Sequence, residues 1–250
     1  MPVEAEEAMT ERRLYAPELP DGGGAVELDA GASRHVRVLR LRSGDRVQLF
    51  DGKGATAQAV IQAIDERVMC EAEAPSLAPR RSARLVLLLG IPKGSTLDDC
   101  VRMATELGVV EIALLQAERS VPRWDGARAL QRVERLTRVA AEAAAQCERA
   151  DLPLIHPPRS CSEWLDALPA GAQGVLFAAR AEGALRLEAT PEQVWCAVGP
   201  EGGFSSGELA ALERAGFIVA SLGSTVLRVD TAVVAGLGVI QDRLQALQAR

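Results

Sequence analysis

Apolar and polar positions alternate in two different rhythms along the 250-residue chain. Before residue 75 the apolar runs are short and joined by tight turns. Residues 25–28, 46–50, 55–64 and 67–74 read as strands, and Asp51-Gly52-Lys53-Gly54 supplies a hairpin turn between two of them. Residues 35–41 place apolar side chains at 36, 38, 39 and 41 with arginines between them, which suits a short amphipathic helix or turn. Short strands over about sixty residues predict a small β-barrel. From residue 84 strand and helix patterns alternate. Apolar strands are expected at 85–89, 109–115, 174–178, 194–198 and 218–222. Helices are expected at 97–107 and 126–149, after residue 205, and from about 231 to 247. Such alternation predicts an α/β domain with a mainly parallel sheet. The boundaries are then a disordered 1–11, a β-rich domain at 12–75, a linker at 76–82 and an α/β domain at 83–250.

Composition narrows the function classes. With 48% apolar residues the chain can build one large domain or two modest ones, yet no apolar run approaches the length of a membrane span. The opening Met-Pro-Val-Glu has neither the basic leader nor the apolar stretch of a signal peptide. The five cysteines are scattered without a C-x-x-C, and His35 and His156 are the only histidines. A disulfide framework and a structural metal are therefore not expected, and the compartment is a reducing cytoplasm. A net charge of −6 opposes indiscriminate coating of nucleic acid. Residues 31–53 are an exception, with Arg34, Arg37, Arg40, Arg42, Arg46 and Lys53 against Asp45 and Asp51. Either a specific RNA contact or a solvated arginine face accounts for them.

Candidate chemistry concentrates in the last sixty residues. The apolar run 194–198 ends in Gly199-Pro200-Glu201-Gly202-Gly203-Phe204, followed by Ser205-Ser206-Gly207-Glu208, an S-x-x-E capping box that opens a helix. A second strand, loop and helix follow, with Arg228 in the loop and Asp230 placed to cap the helix. Two such units in tandem put a ligand at the carboxyl ends of the strands. The glycines, however, also suit plain turns, and the spacing is not the dinucleotide fingerprint. Loop 90–96 superficially resembles a phosphate-binding loop. It has three residues between its glycines instead of four, and Lys93 precedes Gly94, so nucleoside triphosphate binding is not supported.

The strings GPEGGFSSGE at 199–208 and LGSTVLRVDTA at 222–232 together resemble the paired signature of SPOUT-class methyltransferases. They are closest to the family that methylates N3 of a uridine in 16S ribosomal RNA of the small ribosomal subunit. The stretch HVRVLRLRSGDRVQLFDGKG resembles that family's PUA-like RNA-binding domain, and PKGSTLDDCVRMATELGV, AERS and AAAQCERADLP fall where the family has its own versions. The resemblance implies that three loops hold S-adenosyl-L-methionine. The first contributes Leu176 and Phe177, and the second Val198, Gly199, Pro200, Glu201, Gly202 and Gly203. The third contributes Leu222, Gly223, Val226, Leu227 and Arg228, then Thr231 and Ala232 at the following helix. It further implies RNA contacts from Arg13, Arg34, Arg37, Arg40, Lys93 and Arg119, a trefoil knot threaded by the last helix, and a homodimer. No metal and no membrane partner are implied. The chain departs from the family pattern at Ser95, Thr96, Arg102, Met103, Ala145, Glu148, Thr225 and Asp230. These changes cluster at positions that the resemblance assigns to RNA and the active site, while GPEGGF is intact. A non-catalytic or retargeted RNA-binding protein on the same fold is the alternative.

Methyl transfer to N3 requires removal of a proton and stabilisation of charge spreading onto the uracil carbonyls. Arg228, permanently protonated and carrying a fork of donors, is the expected charge stabiliser. Glu201 or Asp230 is the expected base or ring-orienting group, with loop structure and helix capping as their competing roles.

Overall fold

The computed structural model describes residues 12–78, 83–124, 126–178, 181, 183, 185–187 and 191–248. The expected disorder of residues 1–11 and most of the expected linker lie outside them. Two compact units are present: Met1–Arg80 together with Ala144–Leu152, and Arg81–Ala143 together with Pro153–Arg250.

The first unit contains β1 (Arg13–Tyr15), β2 (Gly24–Glu27), α1 (Ala30–Val38), β3 (Arg46–Phe50), β4 (Ala55–Ile64), β5 (Val68–Ala72) and β6 (Ser76–Leu77). The strands pair in the order β1-β3-β4-β5-β2, with β6 on β4, so the first two residues of the expected linker extend the sheet. Every second residue of β3 and β4 (Val47, Leu49; Ala57, Ala59, Ile61) points into one core with Leu14, Leu28 and Val36. Helix α1 starts five residues before the apolar pattern does. Asp29 caps it by accepting from the Ala32 N–H at 2.7 Å, and buried Ser33 donates to the Leu28 carbonyl at 3.1 Å. The helix start is thus made by polar bonds that apolar periodicity does not register.

Ala144–Leu152 belongs to this unit although sequence reasoning puts it in the 83–250 domain. The Leu152 N–H donates to the Gly52 carbonyl at 2.9 Å, and the Gly54 N–H to the Ala150 carbonyl at 3.2 Å. Gly52, at φ +75°, has no room for a side chain: a Cβ there would meet Leu152 at 2.9 Å.

The second unit contains β7 (Arg84–Gly90), α2 (Thr96–Glu106), β8 (Glu111–Leu115), α3 (Gly126–Gln146), β9 (Leu154–Arg159), α4 (Cys161–Asp166) and β10 (Gln173–Phe177). It continues through β11 (Gln193–Val198), α5 (Ser206–Arg214), β12 (Ile218–Ala220) and α6 (Val229–Gln248). Its sheet is parallel throughout, in the order β12-β10-β11-β7-β8-β9. Strand alternation feeds two cores. Leu85, Leu87 and Leu89 of β7 and Val194, Cys196 and Val198 of β11 face α2, α3 and α6. Val86, Leu88, Trp195 and Ala197 face α4 and α5. Burying a leucine or valine in this way is worth roughly 1.5–3 kcal/mol. Because β7 leads into a helix on one face and β11 into a helix on the other, their shared edge is a topological switch point. A crevice opens there at the carboxyl ends.

Candidate active site

That crevice is a cavity of about 850 Å³. The carboxyl end of β10 contributes Phe177 and Ala178, and the loop after β11 contributes Val198 to Phe204. The loop before α6 adds Leu222, Gly223, Thr225 to Asp230, then Ala232. Of the expected cofactor residues, Leu176 and Thr231 do not line it. Leu176 turns into the core on the α4/α5 face, and the Thr231 N–H is taken up by the Asp230 carboxylate at 2.8 Å. Thr96, Arg119, Ala178, Phe204, Leu209, Thr225 and Val229 line the cavity without having been expected to hold the cofactor. Their signal was position alone, in the loops that follow the strands or in the first turns of the helices those loops open. Phe177 can lie at the cavity wall because Gly236 of α6 has no side chain; a Cβ there would meet the ring at 2.7 Å.

Two bonds hold the 199–203 loop from outside, and a third element fixes the helix start that follows it. Glu201 accepts from the Lys93 N–H at 3.0 Å, tying the loop to the one after β7. The Arg119 guanidinium donates to the Gly202 carbonyl at 3.0 Å. Glu208, only 5% exposed, completes the capping box with Ser205 and also accepts from the Glu118 N–H at 2.9 Å. Gly203 is left-handed at φ +67°, whereas a Cβ on Gly202 would meet Arg119 Cβ at 3.0 Å. The two glycines are therefore required for different reasons, backbone conformation and close approach.

Asp230 is not the helix cap. Helix α6 begins at Val229, and the Ala232 N–H donates to the Arg228 carbonyl at 2.8 Å, which puts Arg228 at the cap position. Arg228 is exposed in the cavity mouth, beside the free amides of a helix start. Asp230 lies in the first turn of α6 and spends one carboxylate oxygen on Thr231. Burial pushes the Cys100 thiol up to about 12, helped by Asp230, Asp99 and Glu201. A thiol so held is neutral at pH 7 and is no nucleophile.

The expected RNA residues divide. Lys93 and Arg119 flank the 199–203 loop, with Arg119 already bonded to it. In the first unit Arg34 and Arg40 are exposed. Arg37 donates to the backbone carbonyls of Asp65 and Glu66 and is structural. Arg13 stacks over Phe50, 5.4 Å from the ring centroid.

The sequence matches the RNA methyltransferase domain family over residues 79–241 and the RNA methyltransferase PUA domain family over residues 28–67. It is 31% identical over 239 residues to ribosomal RNA small subunit methyltransferase E of Mycobacterium tuberculosis, covering 91% of this chain and 90% of that protein. Among solved structures it resembles ribosomal RNA small subunit methyltransferase E of Neisseria gonorrhoeae bound to S-adenosylmethionine. The TM-score is 0.84 at 28% identity, covering 93% of this chain and 97% of that one. A methyltransferase of Legionella pneumophila with bound S-adenosylmethionine gives a TM-score of 0.86 at 27% identity, with 93% and 97% covered.

Proposed function

We infer the reaction from one premise: the chain belongs to the family of small-subunit ribosomal RNA methyltransferases. It is an S-adenosylmethionine-dependent ribosomal RNA methyltransferase, a SPOUT-type α/β unit joined to a PUA-like β unit. The reading we propose is methylation of N3 of a uridine in 16S ribosomal RNA of the small subunit, in the cytoplasm. The observation that supports it most is the cavity at the β7/β11 switch point, walled by Phe177, the 199–203 backbone and Leu227. Its size and its mixture of apolar walls and backbone donors suit an adenosine-bearing cofactor.

S-adenosylmethionine, when bound, supplies an activated methyl group on its sulfonium. This chain's residues do the rest. Arg228 meets the charge that develops on the uracil carbonyls, from the one end of α6 where the helix dipole adds to its own charge. Asp230 accepts the N3 proton through the carboxylate oxygen that Thr231 leaves free. Glu201 keeps loops 90–96 and 199–203 together, a positioning role that its bond to Lys93 favours over that of base. The test is mass spectrometry of 16S ribosomal RNA from a deletion strain with and without the restored protein. Loss and recovery of one N3-methyluridine is expected; an unchanged nucleoside profile would leave the non-catalytic alternative standing.

The two-unit chain suggests a division of labour, with RNA backbone held by the unit at 12–75 and cofactor by the one at 83–250. Exchanging Arg34 and Arg40 for alanine should weaken RNA binding and reduce its salt slope by about 0.7–0.9 per lost phosphate contact. S-adenosylmethionine affinity should stay unchanged. Salt-dependent filter binding checks this, and an unaltered slope would make the patch a solvated face.

We further propose a trefoil knot threaded by α6 and a homodimer across it, in line with the open Cβ position of Gly238 and the 40% exposure of Val234. Light scattering should give twice the 26.5 kDa chain mass; a monomer at micromolar concentration would rule the dimer out.

A further inference from the structure

At the amino ends of the same strands, the α4/α5 face of the second sheet carries a second, smaller cleft of about 430 Å³. Register places Gln193 of β11 beside Arg84 of β7, Glu111 of β8 beside Val86, and His156 of β9 beside Ala113. All four polar side chains line the cleft. Both oxygens of Glu111 are already engaged, Oε1 with Arg84 at 2.5 Å and Oε2 with His156 Nε2 at 2.9 Å.

The remaining groups are mainly donors. Arg159 lies over the ring of Trp164, 4.7 Å from its centroid; the Glu163 carboxylate feels its charge, but no carboxylate oxygen among the described residues closes to ion-pair distance. The indole N–H of Trp164 is satisfied by the Leu114 carbonyl at 2.8 Å. That of Trp195 is not: the residue is 3% exposed, and its Nε1 has no acceptor among the described residues. A buried donor without an acceptor is destabilising, and a native fold keeps few of them. The one other carboxylate at the cleft is the exposed Glu192. Arg159, the Gln193 amide and Trp195 with its unanswered indole N–H thus line a cleft in which Arg84 is already paired with Glu111 and Glu192 is the uncommitted carboxylate.

We propose that this cleft binds a phosphate group. A cation is disfavoured because both oxygens of Glu111 are already engaged, by Arg84 and by His156. A carboxylate offers two oxygens, fewer than the donors present. A phosphate offers acceptors in several directions and matches the fork of Arg159 bidentately. The group is a phosphodiester of the RNA or a free phosphomonoester, chemistry that the cleft treats alike. Only the RNA source rests on the methyltransferase reading.

The test uses the full chain saturated with S-adenosylhomocysteine, so that the cofactor cavity is filled. Inorganic phosphate is titrated by calorimetry into wild type, Arg159→Gln and Arg159→Lys, with S-adenosylmethionine affinity of each unliganded protein as the control for folding. One phosphate per chain is expected, weakened at least tenfold by Arg159→Gln and less by Arg159→Lys. If Arg159→Gln fails to fold, Arg159→Lys carries the test, because it keeps the charge and loses the fork. Salt-dependent binding of a 16S fragment then identifies the source. A slope reduced by about 0.7–0.9 in Arg159→Gln supports an RNA phosphodiester, and an unmoved slope supports a free phosphomonoester. Absence of phosphate binding, or binding indifferent to both substitutions, overturns the proposal. Failure of wild type to bind S-adenosylmethionine would instead count against the reaction and leave this cleft to its own result.

Discussion

Arg228→Ala is expected to lose methyl transfer by about 10²–10³ while binding S-adenosylmethionine and RNA within a few-fold of wild type. The side chain is exposed in the mouth of the cavity, and its backbone carbonyl accepts the first bond of α6. Removing the side chain leaves that bond in place, so the helix start survives. What disappears is the permanent positive charge that the proposed role assigns to the uracil carbonyls. One preorganised donor of this kind contributes about 2.7–4 kcal/mol to the barrier. An arginine that merely decorated the surface would cost less than about 0.5 kcal/mol and would show no preference for the chemical step. Single-turnover assays on unmodified small subunits separate the two. Turnover near the wild-type rate, or cofactor binding lost in parallel, would remove Arg228 from the role.

Gly90→Ala should abolish tight S-adenosylmethionine binding from a position with no cofactor contact of its own. Gly90 is the last residue of β7, and a Cβ there runs into the ring of Pro200 and comes within 2.7 Å of the Pro200 nitrogen. Neither obstacle can swing aside. The proline ring is closed, and its nitrogen is backbone held by Glu201 and Gly202 through their bonds to the Lys93 N–H and the Arg119 side chain. The added methyl must therefore displace loop 199–203 itself. Overpacking of this kind costs about 1–3 kcal/mol, and about 2–4 °C of Tm per kcal/mol follows for a chain of this size. Calorimetry should show cofactor affinity reduced at least tenfold, with a lowered but cooperative melt. Affinity within twofold of wild type would mean that the loop tolerates displacement.

Elements whose cause is local could be read from the chain. The Ser205/Glu208 box needs only residues three apart, and strands β4, β7 and β11 are continuous or alternating apolar runs. Strand β9 and helix α4 escaped notice. β9 contains Pro157 and Pro158, which oppose a strand reading, yet it is the edge of the sheet, where a missing N–H costs little. The cavity's wall residues in 222–232 were legible because the string is specific. The clasp around it was not. Glu201 reaches Lys93 across 108 residues and Arg119 reaches Gly202 across 83, distances that no periodicity encodes. Asp230 was misplaced for a smaller reason: Asp is a favoured cap, but the helix opened two residues earlier and took Arg228 as its cap instead.

The first unit borrows Ala144–Leu152 from the far side of β7, α2, β8 and most of α3. That loan has a consequence during synthesis. At about 5–20 residues per second, residue 152 is joined roughly 4–15 s after residue 78. Until then Gly52 and Gly54 have no Leu152 N–H or Ala150 carbonyl to pair with, and the turn between β3 and β4 lacks those bonds. The full contact set of the first unit therefore waits for residues that follow β7, α2, β8 and most of α3 in the chain. The earlier unit matures only once three-fifths of the polypeptide has left the ribosome, a machine whose own small-subunit RNA is this protein's substrate.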